Sequence, residues 1–230
     1  MRLVRTGAAG CLVVGAAGIV LRQVLQTGDW YPYKAAAIFA ALIAVVLRFI
    51  GDHPFNRLGP ANRLTIGRAM LVALAAALAG EPDTSALAWA AVAAAAASVL
   101  LDGADGWLAR RTGMASTFGG RFDVETDALL IVALSVLVWQ HHKAGAWVLG
   151  CGLMRYAFVA GGRLLPWLAA PLTPTPRGRI VAVTQVVGLG ATLAPVVTSP
   201  GSDLIALATL SALTWSFALD VRRLWRQPTV

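Results

Sequence analysis

The sequence predicts an all-α protein, a polytopic bundle of membrane-crossing helices. Three observations lead there. Of 230 residues, 58% are hydrophobic and 13% charged, and the mean hydropathy is +0.70. A soluble domain carries about twice that charge fraction. Apolar residues gather into eight stretches, each close to the roughly 20 residues a helix needs to cross a bilayer. The basic residues fall almost wholly on one side of those stretches once they alternate across a membrane.

The stretches run over residues 7–22, 34–50, 62–80, 84–104, 121–140, 144–164, 179–197 and 202–220. The first follows Arg2 and Arg5, as a signal peptide would. However, its apolar run passes Cys11 and continues to Leu21, which indicates a retained helix. Gly7-x-x-Gly10 and Gly15-x-x-Gly18 mark close packing of that helix. The third opens at Asn62, which is either a favoured cap or a ligand contact. The fourth is Ala-rich over 90–97, a weakly hydrophobic composition that lets helices approach closely. The fifth ends at His141-His142, which read as interfacial residues. Cys11 and Cys151 lie inside apolar stretches and read as small buried residues. Even connections such as 23–33 and 165–178 are far shorter than a domain, so no soluble domain has room.

With the N-terminus inside, one face holds sixteen arginines, at 2, 5, 48, 57, 63, 68, 110, 111, 121, 155, 163, 177, 179, 222, 223 and 226. The other holds Arg22, Lys34 and Lys143. The positive-inside rule selects this orientation, with both termini cytoplasmic. It also explains the net charge of +8. Basic residues scattered over several short loops do not form a nucleic-acid surface, so no nucleic-acid partner is expected.

Acids are scarce, 11 in the whole chain, yet four aspartates fall in one segment. It reads Asp102-x-x-Asp105-Gly106-x-x-Ala109-Arg110, then eight residues, then Gly119-x-x-x-Asp123-x-x-x-Asp127. Asp102 and Asp105 share one helix face; Asp123 and Asp127 share a face on the next. Residues 110–117, which include Gly113, can reverse the chain. Two antiparallel helices then present two carboxylate pairs to each other. An all-oxygen set suits a hard divalent cation such as Mg²⁺ or Mn²⁺. Four carboxylates can hold two ions, which clamp a transferring phosphoryl group. Gly106 and Ala109 leave room for a substrate, Arg110 offers a planar fork to phosphate, and Gly119 and Gly120 relax the start of the second helix.

This segment resembles the signature of the CDP-alcohol phosphatidyltransferases at every signature position. Pro60-Ala61-Asn62-Arg63-Leu64-Thr65-Ile66-Gly67-Arg68 is similar to the start of that family's first core helix. The run from Arg177-Gly178-Arg179 to Gln185 is similar to its downstream basic turn, with Arg where the family usually has Lys. The resemblance implies a six-helix core within residues 56–230, preceded by two additional transmembrane helices within 1–55. It implies displacement of CMP from a CDP-linked lipid, CDP-diacylglycerol, by an acceptor alcohol in phospholipid biosynthesis. By the same resemblance Asp102, Asp105, Asp123 and Asp127 bind two Mg²⁺ or Mn²⁺ ions. Asp127 also serves as the base, and Gly106, Ala109 and Arg110 line the CDP pocket. Similar proteins are homodimers. A bacterial inner (cytoplasmic) membrane is the expected location, with the active site on the cytoplasmic side.

Asn62, Thr65 and Arg68 share one face. They either touch the nucleotide and its phosphates, with Asn62 and Thr65 in the CDP site, or cap the helix start. Arg155, Arg163, Arg177 and Arg179 fall at the cytoplasmic ends of later helices. Their plain reading is topology and headgroup contact. A phosphorylated acceptor would use them and serine would not, which favours glycerol 3-phosphate; inositol phosphate is the nearest competitor. Glu125 points away from the Asp123/Asp127 face, toward a nearby arginine. A membrane prenyltransferase would hold its acidic motifs further apart. A cation transporter would place carboxylates mid-membrane on several helices.

Overall fold

The computed structural model describes residues 2–52, 55, 59–114, 116–170 and 175–226. Arg57, counted among the cytoplasmic arginines, and Ala115, in the reversing segment, lie outside them, as does residue 56, where the expected core begins. Among the described residues there are eight α-helices and no strand. They are α1 (Arg2–Leu25), α2 (Tyr31–Leu47), α3 (Pro60–Ala76), α4 (Ser85–Thr112), α5 (Thr117–Gln140), α6 (Leu149–Leu164), α7 (Pro176–Leu193) and α8 (Gly201–Trp225). Each overlaps one of the eight apolar stretches.

Local chemistry sets the helix ends. Proline stands in the first turn of α2, α3 and α7, where its missing N–H costs nothing. Thr84, Ser116 and Thr175 cap α4, α5 and α7. Their hydroxyls accept from the N–H of Leu87 at 3.3 Å, Gly119 at 3.1 Å and Gly178 at 3.1 Å. Each cap is worth about 1 kcal/mol. Helix α4 stops at Gly113, whose φ of 65° suits glycine.

Helices α1, α4 and α8 are long and apolar enough to cross a membrane, and α2 is a shorter apolar helix. The others fall short for visible reasons. α5 carries Arg121, Asp123, Glu125 and Asp127, while α3 and α6 have 17 and 16 residues. The apolar stretches of the sequence run past those helix ends into turns. Leu12, Val24, Leu100, Val187, Leu204 and Trp215 point outward, as a lipid-facing surface requires. Phe39, Phe118, Phe122, Leu130, Leu134, Leu137 and Leu189 fill the interior. The protein is a polytopic helical bundle.

Two packing features position the site. First, α3 packs against both α4 and α5, which barely touch each other. Second, α1 and α2 form a tight hairpin beside α3. A Cβ on Gly10 would meet the Phe39 ring at 2.5 Å, and one on Gly18 would meet the Pro32 backbone at 2.9 Å. Gly15 faces open space and takes no part in that packing.

A polar clasp joins the hairpin to the bundle at the end opposite the aspartates. The Glu81 carboxylate, buried between α3 and α4, accepts from the Gly28 N–H at 2.6 Å and from Lys34 Nζ. The Gln140 amide donates to the Glu81 carbonyl at 2.6 Å and accepts from the Gly80 N–H at 2.7 Å. His141 Nδ1 lies 2.5 Å from an Asp83 oxygen. Glu81→Ala strands two donors, so it should lower stability by about 2 kcal/mol. Thermal unfolding in detergent checks this; an unchanged midpoint would remove Glu81 from the clasp.

Candidate active site

The aspartates occupy the C-terminal third of α4 and the first turns of α5. Helical spacing puts each pair on one face, and α3 lies between the two helices. The centre is therefore built on three helices. Arg68 of α3 is the connecting residue. Its Nη1 lies 3.1 Å from Asp102 Oδ1, 2.9 Å from Asp105 Oδ2 and 2.5 Å from Asp123 Oδ1. Its Nη2 pairs with Asp127 Oδ1. The side chain of Arg68 is only 1% exposed.

The four carboxylates are not equivalent. Asp102, Asp123 and Asp127 are about one-third exposed, at 31%, 34% and 29%, while Asp105 is buried at 8%. Asp105 is held from α3 twice, by Arg68 and by Thr65 Oγ1 at 3.1 Å. Oxygens of Asp102, Asp123 and Asp127 all come within 4.8 Å of one another. Four carboxylates against one guanidinium leave three formal negative charges uncompensated. This hard, anionic oxygen set fits a divalent cation.

A cleft of about 870 Å³ opens onto the centre. One part of its wall is polar, with Asp102, Asp105, Asp123, Asp127, Arg68, Arg110 and Arg179. Another is apolar, with Val99, Leu130, Ala182, Val183 and Val186. Such a wall suits a ligand with a charged head and an apolar tail. Gly106 lines the cleft too, and the nearest group to the Cβ it lacks is the Arg110 guanidinium, at 3.4 Å. The absent side chain lets Arg110, one turn on, lie back over the helix. Ala109 is half-buried on the same helix and does not line the cleft.

The other sequence-derived positions are spread out. Thr65 donates to the Ala61 carbonyl at 3.1 Å as well as to Asp105. Asn62 is buried, and its Oδ1 lies 2.8 Å from where a Gly119 Cβ would stand. Gly119 thus permits close approach of α3 and α5, a packing role rather than a looser helix start. Arg179 lines the cleft, as do Thr175 and Gly178 at the start of α7. Arg155 pairs with Glu125 at 2.5 Å, joining α6 to α5. Arg177 pairs with Asp220, joining α7 to α8. Arg163 is exposed near the end of α6. Sequence reasoning set Arg68 beside Asn62 and Thr65 on one helix face but did not connect it to the acids. The available signal was an arginine inside an apolar stretch with four unpaired acids elsewhere.

Fold and site together define a helical membrane protein whose carboxylate centre opens on an amphipathic cleft. A family model described as CDP-alcohol phosphatidyltransferase matches residues 58–219, and the chain belongs to that family. Its members are metal-dependent transferases of substituted phosphate groups, which move a phosphatidyl group from a CDP-alcohol to an acceptor alcohol in a membrane. The matched residues begin after α2. No curated protein and no solved structure matches the chain.

Proposed function

We propose that the protein transfers the phosphatidyl group of CDP-diacylglycerol to glycerol 3-phosphate, forming phosphatidylglycerol phosphate and CMP. The observation that carries this reading is the cleft. Carboxylates, two arginines and an apolar wall meet in one space, matching a diphosphate, a second phosphate and acyl chains. Asp102, Asp105, Asp123 and Asp127 are the residues that would hold Mg²⁺ or Mn²⁺, with room in four carboxylates for two ions. Bound there, metal supplies charge neutralisation at the diphosphate. Asn62 and Thr65 support the CDP site through α3, Gly106 and Arg110 border it, and Ala109 backs it from the same helix. Arg110 and Arg179, both exposed at the cleft, offer forks to phosphate.

Asp127 takes the proton from the acceptor hydroxyl. The acceptor oxygen bonds to the β-phosphorus, and the bond from that phosphorus to the CMP oxygen breaks. The carboxylate is partly open to the cleft, so a hydroxyl can reach it. Arg155, Arg163 and Arg177 act at longer range, drawing a phosphorylated acceptor and anionic lipid toward that face. The arginine distribution supports a cleft on the cytoplasmic side, in a membrane we take to be a bacterial inner membrane.

The test is CMP release from CDP-diacylglycerol by purified protein with Mg²⁺ or Mn²⁺, with each acceptor supplied singly. Glycerol 3-phosphate should support turnover, while serine and inositol should not. Turnover with inositol phosphate alone would reassign the acceptor and keep the phosphate-binding role of the arginines. Turnover with serine would remove that role.

A further inference from the structure

Four carboxylates gathered beside a bilayer repel one another and need a cation. The chain carries one of its own. Arg68 reaches a carboxylate of every motif aspartate, from a helix that contributes none of them. Its buried Nε–H has no partner among the described residues, so the two Nη groups make its contacts with the aspartates. Asp102, Asp123 and Asp127, the three whose oxygens come within 4.8 Å of one another, each already give one oxygen to its guanidinium.

We propose that Arg68 is the built-in counter-cation of the centre: it holds the four aspartates together without metal and competes with the metal for them. The inference rests on the metal-centre reading above and goes beyond it. Two consequences follow from charge. Without metal, replacing Arg68 by a neutral residue leaves four carboxylates facing one another uncompensated. With metal, the same replacement removes a positive charge a few ångströms from a doubly charged ion. Even at the dielectric of water that repulsion weakens binding by about tenfold. Arg68 thus stabilises the empty protein at the expense of metal affinity. It is a positioning residue, not a catalytic one.

The experiment compares wild-type protein with Arg68→Gln and Arg68→Lys, using Mn²⁺ alone and no lipid substrate. Mn²⁺ binding is read by electron paramagnetic resonance, and thermal unfolding is read with chelator and with Mn²⁺. Arg68→Gln should bind Mn²⁺ about tenfold more tightly than wild type. It should unfold several degrees lower in chelator and recover most of that loss with Mn²⁺. Arg68→Lys keeps the charge and should stay near wild-type affinity. Equal or weaker Mn²⁺ binding by Arg68→Gln would overturn the competition. If Arg68→Gln does not fold, ¹⁵N resonances of the wild-type arginine side chains carry the test, with Arg68 assigned by its loss in Arg68→Lys. Its signal should broaden as paramagnetic Mn²⁺ is added and shift as diamagnetic Mg²⁺ is added. A signal indifferent to Mg²⁺ would overturn the proposal. A wild-type protein that binds no divalent cation would sink the metal centre itself, an outcome separate from either result on Arg68.

Discussion

Asp127→Asn should lower CMP release by roughly 10²–10⁴-fold, the range that a positioned general base contributes. Asparagine has the same shape, and its amide oxygen still accepts from Arg68 Nη2, the partner of the Asp127 carboxylate. The variant should therefore fold and unfold near the wild-type temperature. The loss arises because an amide cannot take the acceptor proton. The substitution also withdraws one negative charge from the centre, so metal affinity falls as well. The two effects separate on titration with Mg²⁺ or Mn²⁺. A lost base is not restored by excess metal, so CMP release should stay low at saturation. Full recovery at high metal would leave Asp127 as a holder of metal and give the proton transfer to another group.

Chelation of divalent metal should reduce turnover to background, and Mg²⁺ or Mn²⁺ should restore it. The expected loss is at least about 10³-fold, because neutralising the diphosphate and the developing charge on CMP is worth several kcal/mol. The wild-type protein should remain folded during the treatment. Arg68 continues to bridge all four carboxylates, so the empty centre keeps a counter-charge. Turnover that persists in chelator would remove metal from the reaction and leave the arginines at the cleft as the only charge neutralisation. Irreversible unfolding in chelator would instead assign the metal a structural role.

Residue chemistry along the chain was enough to mark all eight helices, because each rests on local features. A proline in the first turn, a Thr or Ser cap and an apolar stretch are visible in any short window. The same holds for the spacing within each aspartate pair, which follows from helical geometry alone. Helix boundaries were less legible. Apolar residues 77–80 continue past the end of α3 into a turn, since hydropathy does not register where backbone hydrogen bonding stops.

Long-range partnerships were the harder part. Gly119 read as a loosening of a helix start, whereas it makes room for Asn62 across the α3–α5 contact. Arg155 read as a candidate for acceptor phosphate, while its direct partner is Glu125. Both are contacts between different helices, and no period within one helix encodes them.

The sequence by itself determined the class of protein, the eight-helix plan and the pairing of the aspartates within each helix. Those follow from composition, the period of an α-helix and the cost of placing charge in lipid. Only the tertiary structure decided that α3 slips between α4 and α5, so that Arg68 meets all four carboxylates and Asp105 is buried while the other three stay open to the cleft. Which helix fills that gap depends on how complementary side-chain surfaces pack, and that is a property of pairs of helices rather than of any one of them.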